Sequence, residues 1–333
     1  MSTPTDGEAG APVPTDRLGV VLPTRNTREL VLACLGSLAG AEVAEIVVVD
    51  DASDDATAKA VRERFPAASV ITTCAPLGFT AAVNQGAREV RNADILLLLN
   101  SDTTVDAEGV KRLRAAFAAD PLLGIAGAHL VYPDGRPQWS GGPAPTLGWL
   151  LLMAAGLPSL LDRLPAYRRL HSMGGHGGRP IHWVTGAAMA VRREVWDTVG
   201  PFDEQFRFYG QDLDLCLRAR AAGWRIGVVP GFRVVHHLGA TIRRQRGAVA
   251  QANPELLWTD LDRWAEKHHP GTWARMARRA LLSGGWLRII GRVGIVRMIP
   301  SARRAAFRAE TDRYRRAART LLTSAPPSTP ESP

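Results

Sequence analysis

The chain has 333 residues, 46% hydrophobic and 22% charged, which is ordinary for a globular protein and leaves room for one large α/β domain or two smaller ones. Forty-one Lys and Arg stand against 32 Asp and Glu, a net charge of +9 and a pI near 10.3, so an anionic partner is expected: nucleic acid, an anionic membrane face or a phosphorylated substrate. No run reaches the roughly 18–20 apolar residues of a membrane-spanning helix; the nearest, Leu147 to Leu161, is short and carries Pro158.

In chain order, residues 1–17 are rich in Pro, Gly, Thr and acidic residues and read as a disordered leader, not a signal peptide. From Leu18, LGVVLPT is a short strand stopped by Pro23. Asn26 is placed as the N-cap of the next helix, with Glu29 closing a capping box and Leu30, Cys34, Leu35 and Leu38 at helical spacing. EIVVVDDAS is a continuous apolar run ending in two aspartates, the pattern of a buried parallel strand. An amphipathic helix over residues 54–65, a strand at SVITT, a small-residue helix over 80–91, a strand at DILLLLN and a helix over 105–119 follow. Strands alternating with helices predict a mostly parallel sheet, whose ligands bind beyond the carboxyl ends of the strands. No GxGxxG or GxxxxGK[ST] loop stands at these junctions, which argues against dinucleotide and P-loop sites.

Residues 134–180 are rich in Gly and Pro, with His171 and His176 among them and His182 just beyond. They read as a long excursion over the sheet, placed to act as a lid. Order returns at Trp183, with a helix expected over 212–222 and a strand ending at His236. Beyond Thr241, residues 242–323 are arginine-rich, with Trp286, Leu287, Ile289, Ile290, Val293, Ile295, Val296 and Ile299 interleaved. They predict basic amphipathic helices, and residues 324–333 a disordered tail. Cys34, Cys74 and Cys216 form no CxxC pair and read as buried free thiols of a reducing compartment.

Four groups of residues could carry chemistry. Asp50 and Asp51 end one strand and suit hydrogen bonds to a base or ribose, unless one of them caps the following helix. Asp102, two residues after Asn100, offers a hard oxygen to a divalent cation whose other ligands would be phosphates. Asp212 follows Gly210 at a helix start, where it is either a general base or only a cap. Asp214 and Arg218 have the spacing of a structural ion pair. His236 and His237 close a strand as metal ligand or structural histidine.

In order along the chain these pieces are strand-DD, GFxxAxNxG, strand-NxD, WxxGAxM, GxFDExFxxYxxDxDLCxR and HxxGxT. Each motif alone is weak, but six in this order, from Leu18 to about Thr241, resemble the inverting family-2 glycosyltransferases, with a bacterial rhamnosyltransferase-like branch nearest. The resemblance implies a GT-A fold, a Rossmann-like, mostly parallel central sheet flanked by helices, over residues 18–241, followed by the basic helical extension. It implies that Pro23, Thr24 and Arg25 begin a nucleotide-sugar pocket and that Asp50 and Asp51 bind base and ribose. Gly78, Asn84 and Gly86 would form the nucleotide-side loop and helix, and Asn100, Ser101 and Asp102 a DxD-type motif. Trp183, Gly186, Ala187 and Gln211 would shape the sugar and acceptor site, with Asp212 as catalytic base. Asp102 and His236 would hold Mg²⁺ or Mn²⁺.

Three positions depart from the family pattern. Asn100 replaces the first acid of DxD. Gln211 replaces the acid before the base, removing like-charge repulsion that would raise the pKa of Asp212. Pro76-Leu77 stand where an Asn is common. The partners implied are a nucleotide diphosphate-sugar, a glycan or polyprenyl-linked acceptor and, through the C-terminal arm, the anionic inner face of the cell membrane, for a cytoplasmic, peripherally bound enzyme of cell-wall or polysaccharide assembly. The arginines cluster in one arm without a nucleic-acid-binding motif, so no nucleic-acid partner is expected. A non-catalytic glycosyltransferase-like binder and a sugar-phosphate nucleotidyltransferase are the alternatives. LPTRNTREL lacks the glycines of the latter's phosphate loop.

Overall fold

The computed structural model describes residues 17–157, 181–206, 209–237 and 253–324. The expected leader and tail, His171, His176 and the end of the HxxGxT run lie outside these residues.

The strands are β1 (Leu18–Thr24), β2 (Glu45–Asp50), β3 (Ser69–Thr72), β4 (Ile95–Leu99), β5 (Thr103–Thr104), β6 (Leu123–Val131), β7 (Gly141–Gly142), β8 (Trp183–Val184), β9 (Ala188–Arg192) and β10 (Arg225–His236). Eight form one sheet in the order β3-β2-β1-β4-β9-β6-β10-β5, and β7 pairs with β8. Pairing is parallel from β3 through β4 and between β6 and β10. β9 is antiparallel to both β4 and β6, and β5 to β10. Every residue of β1 and β4 is buried, as continuous apolar runs require in strands covered on both faces.

Helices α1 (Arg28–Ser37), α2 (Thr57–Arg64), α3 (Phe79–Glu89), α4 (Ala107–Ala119), α6 (Arg193–Val199) and α7 (Gln211–Ala221) flank the sheet or its edge, while α5 (Leu147–Ala155) packs on the C-terminal helices. The small residues of α3 let it approach closely. A Cβ on Gly86 would lie 2.6 Å from Val21 Cγ1 and 2.9 Å from Val49 Cγ2. The cap of α1 differs from expectation. Thr27 is the N-cap residue and makes no side-chain capping bond, while Asn26 has φ of 52° and its Oδ1 accepts from Asp54 N at 2.8 Å. Asn26 therefore ties the first strand–helix junction to the second, and no capping box forms. Glu29 pairs instead with Arg28.

The C-terminal helices are α8 (Pro254–His268), α9 (Gly271–Ile295) and α10 (Ser301–Thr323). Trp258, Trp264, Leu281, Ile289, Tyr314 and Leu321 share one buried cluster with Leu150 and Ala154 of α5 and Leu213 of α7. The apolar stretch from Leu147 thus begins with a short helix that packs Leu150 and Ala154 into this cluster and is closed by Gly156 at φ 77°. α5 approaches α9 so tightly that a Cβ on Gly284 would fall 2.2 Å from Leu151 O. Among the described residues no helix is long and apolar enough to cross a membrane. Of the cysteines, Cys34 and Cys216 are buried as expected. Cys74 is exposed, because it lies in the turn after the edge strand β3.

Candidate active site at the carboxyl edge of the sheet

Strand direction alone gathers the candidate residues. β1, β2, β4, β6 and β10 run the same way, so Thr24, Asp50, Asn100 and His236 arrive at one edge. β9 runs against them and starts there, directly after Gly186 and Ala187. Asn100 N donates to Ala187 O at 2.9 Å, joining the end of β4 to the start of β9.

Asp102 and His236 meet at this edge. Nε2 of His236 is 3.3 Å from Oδ1 of Asp102, and both side chains are buried. The contact is built into the backbone: β5 pairs Thr103 with His236, and His237 N donates to Asp102 O at 2.9 Å. On its other side His236 Nδ1 lies 3.0 Å from Oε1 of Gln138. Asn100 Oδ1 is buried and has no partner within the protein. One carboxylate, one imidazole nitrogen and one orphaned amide oxygen suit a divalent cation that takes its remaining ligands from phosphates or water. Among the described residues no three acidic, His or Cys side chains cluster as a self-sufficient metal cage.

Asp212 stands in the first turn of α7. Its Oδ2 accepts from Gly186 N at 2.9 Å and its Oδ1 from Leu213 N at 2.8 Å. Although the residue keeps some contact with solvent, its carboxyl is enclosed, and burial raises its pKa above the ordinary aspartate value against the opposing pull of these backbone donors. Replacing a neighbouring acid by Gln211 thus leaves the pKa raised, because desolvation and not like charge is the cause. Gln211 is itself buried, with Oε1 unpartnered. Gly186 and Ala187 therefore connect Asp212 to the strand end that precedes Asp102.

The nucleotide-side candidates divide. Asp50 caps α2: Oδ1 accepts from Ser53 N at 3.2 Å and Oδ2 from Ala58 N at 3.0 Å, with 1% of the residue exposed. The helix-cap alternative describes it better than contact with a base. Asp51 fixes the loop before α3, accepting from Leu77 N at 2.6 Å, Gly78 N at 3.0 Å and Thr73 Oγ1 at 3.2 Å. Pro23 and Thr24 are buried in β1. Thr24 Oγ1 bonds Thr27 Oγ1 at 2.6 Å, and Thr27 Oγ1 donates to Ser101 Oγ at 3.0 Å, so a hydroxyl chain spans the ends of β1 and β4. Arg25 is exposed just beyond. Gly78 is the N-cap residue of α3, and Asn84 and Gly86 lie within that helix, where Gly86 is a packing contact on the sheet. Asn84 donates to Phe202 O at 2.9 Å and accepts from Phe202 N at 3.1 Å, clamping the segment that leads to Asp212.

Of the residues expected on the acceptor side, Trp183 meets Trp139 edge-on at 5.0 Å between ring centroids, and Trp139 stands 5.7 Å from Trp149. This aromatic wall adjoins Gly186 through Val184 and Thr185. His182 accepts from Ala144 N at 3.2 Å, and burial, helped by the charge of Arg220, lowers its pKa. Both buried cysteines are held in the protonated thiol form. Burial pushes Cys34 up to about 12 and Cys216 well above the usual thiol range.

Gln138 and Asp260 do not emerge from sequence reasoning. Gln138 lies in the Pro- and Gly-rich stretch with no local signal. Asp260 Oδ2 accepts from Tyr209 N at 3.1 Å, so α8 holds the turn before Gln211 and Asp212. Both contacts join segments far apart in sequence, and only an alignment of related chains would flag them.

Comparison with known proteins shows the family and the fold. The model described as "Glycosyltransferase like family 2" matches residues 14–286. The N-acetylglucosaminyl-diphospho-decaprenol L-rhamnosyltransferase of Mycobacterium tuberculosis is 28% identical over 287 residues, covering 80% of this chain and 90% of its own. The O-antigen biosynthesis protein RfbC of Myxococcus xanthus is 28% identical over 258 residues, 75% of this chain and 19% of its own. Among solved structures, the mannosyltransferase PcManGT of Pyrobaculum calidifontis in complex with GDP-Man and Mn²⁺ superposes with a TM-score of 0.51 at 19% identity, covering 94% of this chain and 86% of that one. With the family model spanning most of its length and the GT-A architecture in its sheet, the chain belongs to glycosyltransferase family 2.

Proposed function

We propose that this glycosyltransferase moves a sugar, with inversion, from a nucleotide diphosphate-sugar to a hydroxyl of a lipid-linked or glycan acceptor in cell-wall or polysaccharide assembly. The observation that carries the reading is the Asp212 carboxylate, raised in pKa and oriented by Gly186 N–H, on the same sheet edge as the Asp102–His236 pair. A base of raised pKa is better matched to taking a proton near neutral pH than an ordinary aspartate is. Asp212 removes the acceptor hydroxyl proton as that oxygen forms its bond to the anomeric carbon, and the carbon–diphosphate bond breaks on the opposite face. No covalent sugar–enzyme intermediate forms. Asp102 and His236 would hold a divalent cation, which when bound stabilises charge developing on the leaving diphosphate. The names of the relatives favour a deoxyhexose such as rhamnose as the sugar and a polyprenyl diphosphate-linked acceptor. The C-terminal helices support a peripheral position at the anionic cytoplasmic membrane face, since exposed apolar residues of α9 lie among arginines.

A panel of nucleotide-sugars with Mn²⁺ or Mg²⁺ tests the reading. A true donor raises the melting temperature with concentration and is slowly hydrolysed without acceptor. A chain that neither shifts nor hydrolyses any member of the panel would not be an active transferase.

A further inference from the structure

Gln138 is 5% exposed and rigidly placed. Its backbone N donates to Leu130 O at 2.8 Å, and the adjacent Pro137 bridges Val131, so the segment lies against the end of β6. Its side-chain nitrogen donates to His236 O at 2.5 Å and to Val131 O at 3.2 Å. An amide oxygen in that position would face two carbonyl oxygens, so this end of the amide is the NH₂. The other end, 3.0 Å from His236 Nδ1, is therefore the carbonyl oxygen, which can only accept. Nδ1 must carry hydrogen. In its neutral form the ring then presents the bare lone pair of Nε2 toward Asp102 Oδ1 at 3.3 Å. A lone pair facing a carboxylate is a poor contact by itself and a good pair of ligands for one cation.

We propose that Gln138 is a positioning residue that fixes His236 as the Nδ1–H tautomer and thereby aims Nε2, with Asp102, at the cation. The proposal rests on the metal reading given under Proposed function. Gln138 would touch neither sugar nor metal. It would decide which imidazole nitrogen is available. Without its oxygen the ring is free to move hydrogen to Nε2, where it bonds Asp102 and closes the site to metal.

The test uses the full chain labelled with ¹⁵N-histidine, with the His236 signals assigned by comparison with His236→Asn, and Mn²⁺ binding followed by titration calorimetry. The unsubstituted, metal-free chain should show His236 hydrogen on Nδ1. Gln138→Leu removes the acceptor. It should populate the Nε2–H tautomer and weaken Mn²⁺ binding by about 10- to 100-fold, the usual cost of losing an outer-shell partner. Gln138→Glu keeps an acceptor oxygen but loses both donor bonds. It should melt earlier yet keep the Nδ1–H tautomer and bind Mn²⁺ at least as well as Gln138→Leu does, a pattern that strand stapling alone does not give. A neutral Nε2–H ring in the unsubstituted chain overturns the proposal even if Gln138→Leu fails to fold. Mn²⁺ binding that Gln138→Leu leaves unchanged, with Nδ1–H retained, overturns it while sparing the metal reading. No Mn²⁺ binding by the unsubstituted chain overturns both.

Discussion

His268 Nε2 of α8 stands 2.7 Å from Asp214 Oδ1 of α7. The same carboxylate meets Lys267 Nζ at 2.8 Å and Arg218 Nε at 2.8 Å, and its side chain is fully buried. Burial by itself would raise the pKa of Asp214, but the bonds from His268 and Lys267 and the charge of Arg218 outweigh it and hold Asp214 at about 2. This acid, two residues after the proposed base, belongs to the architecture that locks the C-terminal helices onto α7.

The consequence is a defined acid limit. A carboxyl held below its unfolded value stabilises the fold above that value and loses the contribution as pH falls toward 2. A drop from 3.8 to about 2 corresponds to about 2 kcal/mol at the usual 1.36 kcal/mol per unit. Stability should therefore fall between about pH 4 and pH 2. Asp214→Asn should be less stable than the parent at pH 7 by about 2 kcal/mol, since partly buried donors lose their charged partner, and should show a flatter acid decline. Thermal melts of both proteins from pH 7 to pH 2 check this. Parallel acid curves would remove Asp214 from the account.

Asp212→Asn separates chemistry from folding. Loss of a general base costs about 10²–10⁴-fold in turnover, while the amide can still accept from Gly186 N or Leu213 N and hold the turn. Because burial raises the pKa of Asp212, the charged form weakens the fold once pH rises through that value, so the variant should melt no lower than the parent at pH 7. The acid limb of turnover in the parent should lie above the ordinary aspartate range, since only the ionised base accepts the proton. Near-native turnover in Asp212→Asn, with nucleotide binding retained, would reassign the base.

The contrast between Asp212 and Gly86 shows what the sequence makes legible. Alternating apolar runs and helical spacings state the strand–helix order, and strand direction then places Thr24, Asn100, Ala187 and His236 on one edge. Which acid faces a ligand and which caps a helix depends on distant partners. Asp50 bonds Ser53 and Ala58, a local relation its spacing allowed for. Asn84 bonds Phe202, and Asp260 bonds Tyr209 51 residues away, relations that no local pattern encodes. Gln138 is further hidden, because Pro and Gly around it read as a loop.

Gly86 yields a packing prediction. A methyl group at this position would press on Val21 at 2.6 Å and Val49 at 2.9 Å, two buried β-branched side chains that are stiff at χ1. Gly86→Ala should cost about 1–3 kcal/mol, the usual penalty for overpacking. Nucleotide-sugar affinity measured well below the melting temperature should remain close to the parent's. A variant that melts normally but loses nucleotide would return Gly86 to the ligand site.

The exposed face of α9 carries the last prediction. Trp286, Leu287, Ile290 and Val293 fall on one side of the helix, at 44%, 59%, 65% and 47% exposure, with Met276 further along the same side. Arg279 and Arg297 are exposed toward either end of this stripe. The opposite side is committed to the core, where Gly284 meets α5 and Gly285 meets Trp258. Apolar side chains among cations suit an anionic bilayer surface, where each nearby Arg contributes about 1 kcal/mol and each buried apolar group adds a comparable or larger amount. Leu287→Asp with Ile290→Asp should cut co-sedimentation with phosphatidylserine-containing vesicles by tenfold or more. The melting temperature should hold, because both positions are largely exposed. Added salt should weaken binding of the parent, and neutral vesicles should bind it less. Deleting α9 and α10 would be a poorer test, since Leu281, Ile289 and Tyr314 belong to the buried cluster that holds α8 against α7. Unchanged vesicle binding by the double variant would mean that this face meets something other than a membrane.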